Sequence, residues 1–208
     1  MSRPPTSAAR ARSPAPRERR SIEERREQLL MAGHELFCER PYDQVSMDDV
    51  AQHAGVSKAL VFHYFSTKRD LYVEIVKRAA AELLDATLVP PELPPLERLA
   101  LGLSRYLDFV EKNERGYVAL LTSGVGVDSE VYGVIESVRR ALAERMLEGL
   151  PSPRSPAHEV VVRGAIGFVE HASHAWIERR AISRDELVAL CARVLVAALE
   201  LPSSRGRR

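Results

Sequence analysis

The stretch that most constrains the fold is residues 46–68, which read SMDDVAQHAGVSKALVFHYFSTK. Ser46 and Asp49 stand three residues apart, the spacing of a capping box that begins a helix. Gly55 ends that helix, because glycine adopts the left-handed conformation without steric cost. A second short helix is predicted over Lys58–Tyr64. The stretch therefore predicts two short helices joined by a tight turn.

Two short helices joined by a glycine-containing turn form a helix-turn-helix, whose second helix enters the major groove of DNA. The stretch closely resembles the N-terminal domain of TetR-type transcriptional repressors. The resemblance is carried by the segment Ala54-Gly55-Val56-Ser57, by the run Phe62-His63-Tyr64-Phe65, and by Lys68 at the start of the next helix. It extends from Arg25 to Ile75. It is specific, because a short helix that ends in such an aromatic run and is followed by a lysine rarely occurs by chance.

The resemblance implies which side chains meet the DNA. Lys58, Ala59 and Leu60 would face bases, with Lys58 donating to guanine and the other two touching a thymine methyl or filling space. Many family members carry Thr in place of Leu60 and Tyr in place of Phe62, so a more apolar readout is expected here. Phe65 and Val61 are expected in the core, whereas Tyr64 could either lie in the core or contact DNA. Further contacts, chiefly to phosphates, are implied for Ser46, Ser57, Phe62, His63, Tyr64 and Lys68.

The composition points to helices throughout. The chain has 208 residues, of which 45% are hydrophobic and only 6% aromatic. Alanine and leucine favour helices, and no run alternates polar and apolar residues as a half-buried strand does. The sequence predicts an all-α fold. Together with the resemblance, it predicts a three-helix helix-turn-helix DNA-binding domain and a larger helical ligand-binding and dimerisation domain, with about nine helices in all.

The chain divides into five parts by composition and pattern. Residues 1–20 are expected to be a disordered basic arm, and 21–67 the helix-turn-helix domain. Residues 68–88 form a linking helix. The clearest boundary follows, where four prolines fall within seven residues. Residues 89–201 are the expected ligand-binding and dimerisation domain, and 202–208 a disordered basic tail.

The charge of the chain is distributed unevenly. The formal net charge is only +1, which does not by itself indicate nucleic-acid binding. The first 26 residues, however, carry eight Arg against three Glu. Two interpretations of the arm remain open: a solvated tail, or a basic segment attracted to phosphates.

The ligand pocket is the least explicit part of the sequence. Aromatic residues of the C-terminal half could line an apolar cavity, although aromatic side chains at helical spacing are more often core. These residues are Tyr106, Phe109, Tyr117, Tyr132, Phe168 and Trp176. Arg163, His171 and His174 are candidate polar groups for orienting a largely apolar small molecule. Glu170, His171 and His174 also have a spacing that metal ligands use, but three such residues on one helix without cysteine favour no metal and no cofactor.

The last two helices are expected to pair with a second copy of the chain. Gly164 and Gly167 thin the surface of one helix and permit close helix–helix approach. An apolar stripe on the other contains Leu187, Leu190, Cys191, Val194 and Ala198. Burial within one protomer is an alternative. The resemblance favours a twofold four-helix bundle, because helix-turn-helix proteins bind paired half-sites of palindromic double-stranded DNA.

Three functions compete at this stage. The first is a cytoplasmic DNA-binding repressor released from its operator by a small-molecule ligand, with a ligand-responsive activator as the alternative. The second is an enzyme, which is not expected because no catalytic constellation or phosphate loop occurs. The third is a helical interaction protein without DNA binding. Two cysteines far apart suggest a reducing compartment, and neither a signal peptide nor a membrane span is expected.

Overall fold

The computed structural model describes residues 21–122, 128–150 and 155–199. Over these ranges the chain forms nine α-helices and one short 3₁₀ helix, without strands, so the predicted all-α fold is confirmed. The basic arm and the basic tail lie outside the described residues. The helices are α1 (Ile22–Glu39), α2 (Met47–His53), α3 (Lys58–Tyr64), α4 (Lys68–Ala86), α5 (Pro95–Lys112), α6 (Glu114–Thr122), α7 (Ser129–Glu148), α8 (Pro156–Arg179) and α9 (Arg184–Leu199), and the 3₁₀ helix Tyr42–Gln44 precedes α2.

Side-chain caps fix where the N-terminal helices begin. Ser46 Oγ accepts the N–H of Asp49 at 3.1 Å, and the Ser46 N–H donates to the Asp49 carboxylate at 2.8 Å. Ser57 caps α3, and Thr67 caps α4 through the N–H of Asp70 at 3.0 Å. Each cap satisfies backbone N–H groups that the first helical turn leaves without partners.

The first four helices share one hydrophobic core. Its centre consists of side chains with no exposed surface, among them Leu29 of α1, Val50 of α2, Val61 of α3 and Leu71 of α4. Helices α1 and α4 cross closely at Gly33, where an added Cβ would lie 2.9 Å from Ile75 Cδ1. Because Val131 of α7 joins the same cluster, this core extends from the first four helices into the C-terminal half.

A second core joins α5, α8 and α9. Leu107 and Val110 of α5 pack with Cys191 and Leu195 of α9, and all four side chains are almost completely buried. Trp176 of α8 closes this cluster and donates its indole N–H to the carbonyl of Ile182 at 2.8 Å. Among the described helices, none is both long and apolar enough to cross a membrane.

Candidate DNA-binding surface and ligand cavity

Helix α3 presents one face to the core and the other to solvent. Val61 and Phe65 are 0% and 3% exposed, as the sequence predicts. On the outer face Lys58, Ala59 and His63 are exposed, and Phe62 keeps 42% of its surface. Ser46 and Ser57 are also exposed at the starts of α2 and α3, while Leu60 and Tyr64 are half-buried. Each side chain predicted to meet DNA therefore lies at least partly at the surface.

The turn between α2 and α3 depends on Gly55. Its φ is +66°, in the left-handed region that other residues rarely adopt. Nothing lies within 4 Å of the position that a Cβ would take, so the requirement is conformational rather than steric. The turn brings α3 across α2 with its N-terminal end free for a groove.

Two lysines of this surface already have partners within the protein. Lys58 Nζ donates to the Asp48 carboxylate at 2.7 Å, in an exposed ion pair at the predicted base-reading end of α3. Lys68 Nζ donates to the carbonyl of Tyr42 at 3.0 Å and lies 4.2 Å from the centre of the Tyr42 ring. Lys68 therefore anchors the segment before α2, a role that the sequence does not indicate.

A large cavity lies between α1 and the helices from α4 to α9. Its volume is about 770 Å³, within the range of about 300–1,000 Å³ typical of small-molecule sites. Its wall is mainly apolar and combines residues from α1 and from each of α4 to α9. One end reaches Phe37 of α1 and Tyr72 of α4, which are buried, and the other reaches Leu88 and Leu96, which are exposed. The cavity thus runs from the surface to the DNA-binding domain.

Three of the nine predicted ligand residues line this cavity: Tyr106, Phe109 and Tyr117. The Tyr106 and Tyr117 hydroxyls lie 2.7 Å apart, and the Tyr117 hydroxyl also donates to the carbonyl of Glu170 at 3.3 Å. Burial raises the pKa of Tyr106 well above its ordinary value and that of Tyr117 to about 12. Both phenols are therefore neutral hydrogen-bonding groups in the cavity wall at physiological pH.

The other six predicted ligand residues lie outside the lining of this cavity, and their part in ligand binding stays a prediction. On α8 the cavity wall is formed by Ala165, Ile166, Val169 and Glu170, so Phe168 and His171 point away from it. The remaining side chains outside the lining are Tyr132, which is 53% exposed on α7, Arg163, His174 and Trp176. Trp176 is instead core. Apolar spacing alone did not separate the two faces of α8.

The possible metal ligands on α8 do not converge. The Glu170 carboxylate accepts three hydrogen bonds from Arg139, of which the shortest is 2.8 Å. His171 Nδ1 lies 2.8 Å from its own helix at Gly167 O, and His174 Nδ1 lies 3.9 Å from Glu178. Within the part of the chain that the structure describes, no group of three or more potential ligands could hold a metal ion.

Several cavity residues come from helices that the sequence did not connect with a ligand. Tyr72, Ile75 and Val76 of α4 belong to the core of the DNA-binding domain and also line the cavity. On α1, Cys38 Sγ lies 3.6 Å from His34 Nε2, and both side chains line the same end. No local signal identifies them, because contact between α1 and α6 depends on the whole tertiary arrangement.

The expected dimer face divides into two parts. Leu187 and Cys191 are 2% and 0% exposed, because they pack inside the protomer against α5. Leu190 and Val194 lie beside them on the same apolar stripe of α9 and are 38% and 39% exposed, and Ala198 is half-buried. On α8 an added Cβ at Gly164 or Gly167 would meet nothing within 4 Å. Exposed apolar side chains of α9, and glycines of α8 with open space beside them, are therefore available to a partner.

Comparison with protein families identifies this combination of domains. A family model described as "Tetracyclin repressor-like, C-terminal domain" matches residues 95–198, half of the chain. A second, described as "Bacterial regulatory proteins, tetR family", matches residues 29–75. The chain belongs to the TetR family of transcriptional regulators.

Individual TetR-family proteins resemble the chain over most of its length. The transcriptional activator FasR of Mycolicibacterium smegmatis is 25% identical over 175 residues, 80% of this chain and 78% of FasR. A TetR-family regulator from Streptomyces coelicolor has a similar structure, with a TM-score of 0.79 at 35% identity over 86% of this chain and 82% of that one. FadR of Bacillus subtilis, solved in complex with stearoyl-CoA, shares the fold at a TM-score of 0.70 and 17% identity, over 83% of this chain and 98% of that one.

Proposed function

We propose that this TetR-family regulator is a repressor whose dimer releases its operator when an elongated, largely apolar small molecule fills the cavity. One observation carries the proposal. Tyr72, Ile75 and Val76 are at once part of the DNA-binding core and part of the cavity wall. A ligand that contacts these side chains acts directly on α4, the helix against which the helix-turn-helix packs.

The proposed release is a shift between two arrangements of the dimer. In the arrangement that binds a palindromic operator, the two copies of α3 lie one DNA turn apart, about 34–36 Å. A ligand that occupies the cavity displaces α4 and changes this separation. Because a ligand shifts an equilibrium only by its different affinity for the two states, the cavity must be larger or better matched in the released state.

The class of ligand follows from the shape and lining of the cavity. The wall is formed mainly by aliphatic and aromatic side chains, among them Leu83, Leu103 and Val138, with the Tyr106–Tyr117 pair as a polar point. An elongated apolar molecule buries the most surface in such a cavity. The complex of FadR with stearoyl-CoA involves a ligand with a long apolar chain, although FadR shares only the fold with this protein.

The proposal is tested by electrophoretic mobility shift with the DNA upstream of the gene itself. We expect a complex that outcompetes unrelated DNA and that is dissociated by at least one compound from a panel of fatty acids, fatty alcohols and sterols. A complex that every compound leaves intact would contradict ligand-controlled release through this cavity. Equal affinity for the upstream DNA and for unrelated DNA would contradict sequence-specific binding to an operator.

Activation is a second candidate, favoured by the name of FasR, which is a transcriptional activator. A reporter gene placed behind the bound DNA separates the two functions. Repression predicts that expression rises when the regulator is deleted, and activation predicts that it falls.

A further inference from the structure

The cavity wall contains a small number of charged side chains. Apart from histidine, the described residues contribute Glu82, Arg98, Arg145, Glu148 and Glu170. Glu82 accepts from Arg78 at 2.9 Å, and Glu170 accepts from Arg139 at 2.8 Å. These two carboxylates are therefore neutralised by arginines. Two arginines and one carboxylate remain.

Arg145 is held in place without a carboxylate partner in the described chain. Its Nη1 donates to the carbonyl of Leu84 at 2.8 Å and to Thr87 Oγ1 at 3.1 Å. Both acceptors are neutral, so the guanidinium keeps its full positive charge. The hydrogen bonds fix it at the C-terminal end of α4, beside the cavity.

Arg98 has neither a hydrogen-bond nor an ion-pair partner for its side chain among residues 21–122, 128–150 and 155–199. It is nevertheless half-buried and lines the cavity. Its Nη1 lies 3.9 Å from the position that a Cβ on Gly149 would take, one helical turn after Arg145. Arg98 and Arg145 therefore lie at the same end of the cavity, where an unpaired guanidinium favours an anion.

This end is also where the cavity meets solvent. Leu88 and Leu96 line it and keep 51% and 64% of their surface. Helix α5 begins here at Pro95, and its first turn carries the acidic Glu97, which offsets the positive end of the helix dipole. Among the residues of the cavity wall, Glu148 is the carboxylate at this end, and it is exposed.

We propose that Arg98, supported by Arg145, binds the anionic head group of an amphipathic ligand whose apolar chain extends toward α1. The head group is a carboxylate or a phosphate, since both accept the paired N–H groups of a guanidinium. The inference rests on the proposed function and adds the charge and the orientation of the ligand. The solvent-exposed end of the cavity, near Arg98 and Arg145, binds the head group. The apolar remainder of the cavity binds the alkyl chain.

The test uses three probes with the same alkyl chain: laurate, dodecyl phosphate and 1-dodecanol. Their binding to the full-length protein is measured by isothermal titration calorimetry, with the two anions below their critical micelle concentrations and dodecanol below its solubility limit. We expect at least one of the two anions to bind about tenfold tighter than dodecanol, the gain typical of a hydrogen bond to a charged group. The anion that gains more identifies the head group.

Two variants then test whether Arg98 is the residue that makes the anion bind more tightly than dodecanol. Arg98→Gln is expected to bring the anion to within about threefold of dodecanol while leaving dodecanol binding unchanged. Arg140→Gln is the matched control, because Arg140 lies exposed on α7 outside the cavity lining. It should behave as wild type.

Two results separate failure of this inference from failure of the proposed function. If dodecanol binds wild type as tightly as both anions, or if the preference for an anion survives in Arg98→Gln, the head-group site is wrong and the apolar cavity stands. If none of the three probes binds, the apolar ligand itself is contradicted.

Discussion

Arg69 donates two hydrogen bonds to the carboxylate of Asp128, from Nε at 2.6 Å and from Nη2 at 2.9 Å. Asp128 also caps α7, where it accepts the N–H of Glu130 at 3.0 Å. The first turn of α4, next to the DNA-binding helices, is thus tied to the start of a helix that lines the cavity.

This ion pair predicts a defined dependence of stability on pH. Hydrogen bonds from Arg69 lower the pKa of Asp128, so its contribution is present above the unfolded pKa of about 3.9 and is lost as the pH falls through the folded pKa. Asp128→Asn keeps the cap but removes the charge. Its thermal midpoint should lie below that of wild type at pH 7, and the gap should narrow below about pH 4.

Arg69→Gln should show at least that gap, because Arg69 also donates to Glu130 at 3.1 Å. The double variant should lose little more than Arg69→Gln alone, because the pair with Asp128 is already broken in it. Additive losses in thermal melts would show that Arg69 and Asp128 act separately.

Asp48 is expected to weaken DNA binding in the wild-type protein. It lies 2.7 Å from Lys58 at the base-reading end of α3, where its negative charge opposes phosphates and occupies the lysine. Asp48→Asn should therefore raise affinity for operator and for unrelated DNA in fluorescence anisotropy, and the increase should shrink at high salt. Asp85→Asn, at the far end of α4, removes the same charge and should have no such effect. Equal gains in both variants would indicate net charge rather than this contact.

The dimer face is tested by placing a charge at exposed and at buried positions of α9. Leu190→Glu and Val194→Glu place a charge on the exposed face and should give soluble monomers in light scattering at micromolar concentration. Met31→Glu, at an exposed apolar position on α1, should remain dimeric. Leu187→Glu should instead unfold the protomer, because Leu187 is core. A monomeric wild type, or dimeric Leu190→Glu and Val194→Glu, would contradict this interface.

Filling the cavity should separate ligand binding from DNA binding. Gly102 lines the cavity within α5, and an added Cβ would meet only Val89 Cγ1 at 4.0 Å. Gly102→Leu should abolish release of the operator by ligand and leave operator affinity intact. Removing glycine from the helix interior should also stabilise the fold by about 0.5–1 kcal/mol.

Gly133→Leu is the control for that gain, because Gly133 lies on α7 outside the cavity lining and has no close neighbour. It should be stabilised similarly and still respond to ligand. Normal release from Gly102→Leu would place the ligand elsewhere.

Local signals predict the helix-turn-helix well. The caps Ser46, Ser57 and Thr67 and the turn at Gly55 set the helix boundaries through contacts within a few residues. Helix α3 accordingly spans Lys58–Tyr64, as predicted from sequence.

The cavity could not be predicted in the same way. Helix α8 carries apolar residues both toward the core, as at Val169, and toward the outside, as at Phe168, so spacing does not reveal which side meets the cavity. Lys68 shows a related limit. Its partner Tyr42 is 26 residues away, and the contact depends on the packing of α4 against the segment before α2.

The most direct test of a dimeric, sequence-specific DNA-binding protein is selection of bound duplexes from random DNA with the full-length chain. We expect two inverted copies of a short motif, with centres about one helical turn or a multiple of it apart. Lys58→Ala should retain the spacing and lose preference at one base position in each copy, at a cost of about 1–3 kcal/mol. Absence of any enriched inverted repeat, or an unchanged motif from Lys58→Ala, would contradict the assignment of α3 as the helix that reads the operator.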